Sequence, residues 1–113
     1  MLTIYHNGEC SKCAGALEII QAKGMDYEMR YYLYEPPTVE ELTSLLSKLN
    51  IPASELVRKS EPLYAEQYEG KNFTEEEWIK IIIENPILMQ RPVVVNGDKA
   101  IIARPPEKVH EVL

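Results

Sequence analysis

Cys10 and Cys13 stand three residues apart inside the stretch His6-Asn7-Gly8-Glu9-Cys10-Ser11-Lys12-Cys13-Ala14-Gly15. A cysteine pair at this spacing, where an apolar strand hands over to a helix, is a pattern for dithiol redox chemistry. The thiolate is the attacking species, and a free cysteine is mostly protonated at neutral pH. A cysteine just ahead of a helix meets unpaired N–H groups and the positive end of the helix dipole. Cys10 has that position, so it is the candidate nucleophile. Cys13 lies one turn further on, within reach of disulfide closure, and is available as a resolving thiol. Two plainer readings stay open: both cysteines as small buried apolar groups, or as metal ligands. Against the second, one pair and His6 give three ligands where a structural zinc needs four, so no metal is expected. His6 either pairs with the thiolate or closes a strand by hydrogen bonding to the backbone.

Three arginines stand at element boundaries. Arg58 ends a helical stretch, Arg91 directly precedes Pro92, and Arg104 directly follows an apolar strand. The planar guanidinium fork suits tetrahedral oxyanions, which it can grip with paired hydrogen bonds. A nearby positive charge would also favour a thiolate over a thiol. The alternative is three solvated cations with weak surface pairings. Whether they converge depends on the fold.

Leu2–Tyr5 is a short buried strand. From Ser11 the apolar positions Cys13, Ala16, Leu17 and Ile20 follow helical spacing, and Gly24 is the stop. Tyr27–Tyr32 alternates as a second strand. Strand, helix and strand over about thirty residues predict a crossover joining two parallel strands. Glu35-Pro36-Pro37 then breaks the chain. Thr38 with Glu41, and Thr74 with Glu77, are capping boxes that open two helices. Their stripes are Leu42, Leu45, Leu46 and Leu49, then Trp78, Ile81 and Ile82. Between them lie a short helix through Leu56 and Val57 and a polar stretch, 61–72, read as loop or one irregular helix. Val93–Val95, the turn Asn96-Gly97 and Ala100–Ala103 form a hairpin. Arg104-Pro105-Pro106 begins a final helix with Val109, Val112 and Leu113 on one face. The order is β-α-β, helices, then β-β-α. That predicts an α/β, thioredoxin-like (glutaredoxin-like) core, with residues 36–90 as a helical insertion in a single domain, 1–113. In such a fold Pro92 packs beside the cysteines, and a cis Arg91–Pro92 bond is expected.

With 113 residues the chain has room for one core and needs no disulfide staple to fold. Its formal net charge of −6 argues against direct nucleic-acid binding. No apolar run is long enough to span a bilayer, and no export signal is seen, so no membrane contact and a cytoplasmic location are expected. Two cysteines in such a chain fit a reducing compartment.

The chain resembles the arsenate reductase family that uses glutathione and glutaredoxin, and the related Spx group of redox-switch regulators. The matching stretches are IYHNGEC, YYLYEPPTVEEL, LVRKSEP, FTEEEWIKIIIENPILMQRPVVV and ARPPEKV. The resemblance implies a catalytic cysteine at Cys10, a nearby histidine at His6, and oxyanion-handling arginines at Arg58, Arg91 and Arg104. It also implies an oxyanion substrate, arsenate, with glutathione and glutaredoxin (or thioredoxin) as reductant and no bound cofactor. The reductases usually carry Gly-Thr-Ser-Arg after the cysteine; here the run is Ser11-Lys12-Cys13-Ala14. The extra Cys13 makes a pair like that of the regulators. Two functions are therefore weighed. One is arsenate reduction through Cys10. The other is a redox switch, or a thiol-disulfide oxidoreductase with another substrate, using Cys10–Cys13. All three arginines together favour the enzyme, because a switch needs no oxyanion cradle.

Overall fold

The structure, a computed structural model, describes residues 2–6 and 11–113, and of residues 11–14 the backbone only. The described elements are β1 (Leu2–His6), α1 (Ser11–Ala22), β2 (Tyr27–Tyr31), α2 (Val39–Leu49), α3 (Ala53–Leu56), α4 (Pro62–Gln67), α5 (Glu75–Glu84), β3 (Val93–Asn96) and β4 (Lys99–Ile102), with 3₁₀ turns at Pro86–Leu88 and Pro106–Glu111. They divide into two compact units. One joins Met1–Glu35 to Arg91–Leu113; the other is Pro36–Gln90. No helix among the described residues is long and apolar enough to cross a membrane.

The first unit is built on one sheet with strand order β2-β1-β3-β4. β1 and β2 are parallel, with Leu2 opposite Tyr27 and His6 opposite Tyr31. Parallel strands cannot be joined by a hairpin, so α1 serves as the crossover. β3 runs antiparallel to β1, with Tyr5 opposite Val93, and turns back into β4. Gly97, at φ 60°, takes the left-handed conformation this tight turn requires. Alternation along the strands puts Leu2, Ile4 and Val94 on one face, where they pack with Ala16, Ile20, Ala103, Val109 and Val112. Ile4, Ile20 and Val94 have no exposed surface. Each such side chain contributes about 1.5–3 kcal/mol by leaving water, so α1 is anchored through Ala16 and Ile20. A β-α-β unit followed by an antiparallel hairpin is the thioredoxin-like core.

Three elements differ from the sequence expectation. The helix expected through Leu56 and Val57 and ending at Arg58 stops at Leu56, because Val57 is extended and bridged to Met89. The last segment, Pro106–Glu111, is a 3₁₀ rather than an α-helix. Its bonds run three residues back, Lys108 N–H to Pro105 O and Val112 N–H to Val109 O. Val109 and Val112 share a face in either helix type, so apolar spacing cannot distinguish them. The second strand stops at Tyr31, where Tyr34 and Glu35 N–H both turn back onto the Tyr31 carbonyl. Tyr32, read as strand, is a fully buried turn residue.

The second unit lies between the two halves of the sheet unit in sequence and is helical. Thr38 and Thr74 each accept a hydrogen bond from the backbone N–H of the glutamate three residues on, at 3.1 and 3.2 Å. Glu41 and Glu77 accept from the threonine N–H in return, at 3.0 and 2.9 Å. α2 buries Leu42, Leu45 and Leu46, and α5 buries Trp78, Ile79 and Ile82. Both carboxylate oxygens of Glu75, the first residue of α5, accept from the Ala53 N–H at 3.0 and 2.9 Å. One glutamate thus caps the start of the short α3 as well as beginning its own helix.

Candidate active site

His6, Pro92 and Arg104 stand at the same end of the sheet. Register brings them there: Tyr5 pairs with Val93, and Val93 with Ile102. The ladder continues one step further, since the Ala103 N–H donates to the Pro92 carbonyl at 2.9 Å. Arg91 and Arg104 are the next residues along, one entering β3 and the other leaving β4. The Arg91–Pro92 bond is cis, and so is Arg104–Pro105, which the sequence did not suggest. Pro92 is buried, while Arg91 and Arg104 are half-buried.

His6 is the last residue of β1, with its ring 5.8 Å from that of Tyr31. Its Nδ1 is buried and has no hydrogen-bond partner among the described residues. Burial pushes the imidazole pKa below the ordinary 6.5, because a cation there loses hydration. His6 is therefore the neutral imidazole at neutral pH, able to accept or donate one hydrogen bond at each nitrogen.

The Arg91 Nε is likewise buried with no partner among the described residues. A buried donor on a charged group is costly to leave unpaired, so this edge of the fork is suited to an anion. Cys10 lies outside the described residues. The residue after it, Ser11, opens α1, and the backbone of Cys13 belongs to that helix's first turn.

Arg58 belongs to the helical unit. Its segment is held as a short antiparallel bridge: Val57 pairs with Met89, the Arg58 N–H donates to Leu88 O, and the Gln90 N–H donates to Leu56 O. The Arg58 Nε, too, is buried without a partner among the described residues. Its Nη1 lies 3.5 Å from the Glu61 Oε2. The sequence reading missed Glu61. The available signal was its three-residue spacing from Arg58, which a turn brings onto one side.

The ArsC family model matches residues 5–112. The arsenate reductase of Haemophilus influenzae is 38% identical over 97% of this chain and 97% of its own. YfgD of Escherichia coli K12, an uncharacterized protein, is 40% identical over 97% of this chain and 94% of its own. The solved structure of arsenate reductase from Vibrio cholerae has a TM-score of 0.94 at 34% identity, covering 99% of this chain and 97% of that one. Both the full-length sequence matches and the shared sheet and helical units lead to one conclusion: the chain belongs to the ArsC family.

Proposed function

We propose that this protein reduces arsenate to arsenite, with the Cys10 thiolate as nucleophile. The sulfur displaces one arsenate oxygen, which leaves as water once protonated, and an arsenic–sulfur bond forms. A second thiol then attacks that sulfur. The electron pair of the arsenic–sulfur bond passes to arsenic, arsenite is released, and a disulfide remains. The second thiol is glutathione, with glutaredoxin restoring Cys10, or it is Cys13, with an external thiol reopening the Cys10–Cys13 bond. Arg91 and Arg104 are assigned to the oxyanion, as is Arg58 of the helical unit. His6, neutral at physiological pH, is assigned to hydrogen bonding near the thiol.

The observation that carries this reading is the Nε of Arg91, buried and without a partner among the described residues, at the sheet end where β1 finishes. A charged donor held out of water without a protein partner among the described residues is costly unless an anion uses it. Similarity to proteins named arsenate reductase over nearly the whole chain supports arsenate as that anion. The test is arsenate-dependent NADPH consumption, coupled through glutathione, glutathione reductase and glutaredoxin. Wild type is expected to be active and Cys10→Ser inactive. A Cys13→Ser variant that stays active assigns the second thiol to glutathione; an inactive one assigns it to Cys13. Activity surviving in Cys10→Ser overturns the mechanism. An inactive wild type favours the redox switch or another oxyanion.

A further inference from the structure

We propose that Glu61 is a positioning residue for the oxyanion: it sets the plane of the Arg58 guanidinium so that the Nε edge of the fork faces the substrate. The proposal rests on the reading of Arg58 as an oxyanion-binding residue and adds what orients it.

The Arg58 backbone is fixed from both sides. Its N–H donates to the Leu88 carbonyl, and its own carbonyl accepts from the Glu61 N–H at 3.1 Å. That turn brings the two side chains together, Nη1 to Oε2 at 3.5 Å, with side-chain exposures of 26% and 18%. Ion pairs near the surface stabilise a fold little, so stability alone does not account for the pair. Capping does not account for the carboxylate either. Glu61 is the residue before α4, where a side-chain oxygen would ordinarily accept a helix N–H, yet it makes no such bond. The carboxylate is turned onto Arg58 instead.

Which nitrogen it takes decides what remains. Nη1 is the guanidinium nitrogen on the Cδ side, away from the Nε–H. A carboxylate on Nη1 leaves the edge made by Nε–H and Nη2, whose two N–H bonds point the same way. That edge matches two oxygens of a tetrahedral anion. Its Nε is the buried atom without a partner among the described residues. Rotating that edge away would break the Nη1 ion pair with Glu61. Without Glu61 the same charge is present but its plane is free, and the ordering must be supplied on binding.

The test reads binding and turnover separately. The Arg58 Nε–H resonance is followed by ¹⁵N NMR during titration with sulfate, a tetrahedral dianion that cannot be reduced, and arsenate kinetics are measured alongside. Glu61→Ala is expected to weaken sulfate binding and raise KM for arsenate by about tenfold, with kcat changed by less than about twofold. Glu61→Gln keeps an oxygen for Nη1 without the charge, and should restore KM to within about threefold of wild type. In an Arg58→Lys background, Glu61→Ala should change KM by less than about twofold, because an ammonium has no edge to orient. The inference is overturned if Glu61→Ala leaves sulfate affinity and KM unchanged, or improves them, which would make the carboxylate only a competing charge. It is overturned equally if Glu61→Gln is as impaired as Glu61→Ala. A wild-type Arg58 Nε–H that ignores sulfate removes Arg58 from the binding site before any substitution is made. That outcome defeats the underlying assignment, and is told apart from a failure of the orientation argument by appearing in the wild type.

Discussion

His6 shows what a single residue's surroundings do to its chemistry. Burial favours the uncharged imidazole, so its folded-state pKa lies below the ordinary 6.5. Between those two values the unfolded chain binds a proton that the folded chain does not. Stability is therefore complete above the unfolded value and falls as the pH is lowered through that window. Denaturation curves of wild type and His6→Gln should separate on acidification, with wild type losing more stability. Curves that stay parallel from neutral pH to below 6 would place His6 in a site that accepts the imidazolium. The types and positions of His6, Arg58, Arg91 and Arg104 were legible in the chain, because each stands where an element begins or ends. Their surroundings were not. β-register places Arg91, and a bridge between Leu56–Arg58 and Leu88–Gln90 places Arg58, where each Nε is buried without a partner among the described residues. Neither is a local property of sequence.

α1 shows how one element is set by another far away in sequence. A Cβ placed on Gly15 would lie 2.8 Å from the Pro106 Cγ and 3.1 Å from its Cβ. Gly15 is therefore where α1 touches the C-terminal 3₁₀ turn. The proline ring cannot rotate aside as a flexible side chain would. Alanine is the better helix former by about 1 kcal/mol, but overpacking costs about 1–3 kcal/mol, so Gly15→Ala should lower stability. The melting temperature should fall and recover in part when Pro106→Ala is added. A Gly15→Ala protein more stable than wild type would show that helix propensity outweighs the contact. Propensity alone would have marked Gly15 as a weak point rather than a packing site. What sequence did convey at this scale was local: the Thr38 and Thr74 boxes and the Asn96-Gly97 turn hold their geometry within a few residues. What it did not convey was the 3₁₀ form of Pro106–Glu111, since Val109 and Val112 suit either helix. Nor did it convey the burial of Tyr32 beyond the end of β2, which depends on tertiary packing.

At the scale of the whole molecule, the sheet unit is made from two separated pieces of chain. β1 and β3 are neighbours in the sheet, yet the 55 residues Pro36–Gln90 lie between its two pieces. If those residues unfolded alone, the sheet would have to close them as a flexible loop, at a cost of about 3.5 kcal/mol from the logarithmic length dependence. That is a large share of the stability of a small protein. The helical unit is itself small. It carries ten acidic residues against five basic ones, whereas the remainder is nearly balanced at eight against seven. A charged unit of this size buries too little surface to be robust by itself. We therefore expect one cooperative transition for residues 1–113. Trp78, the only tryptophan, packs against Tyr64, Tyr68 and Phe73 and reports on the helical unit. Backbone amides of β1 and β3 report on the sheet. Urea titrations followed by Trp78 fluorescence and by those amide signals should give coincident midpoints. A fluorescence midpoint well below the amide midpoint would mean that the helical unit opens first, and that the loop-closure cost does not bind the two together.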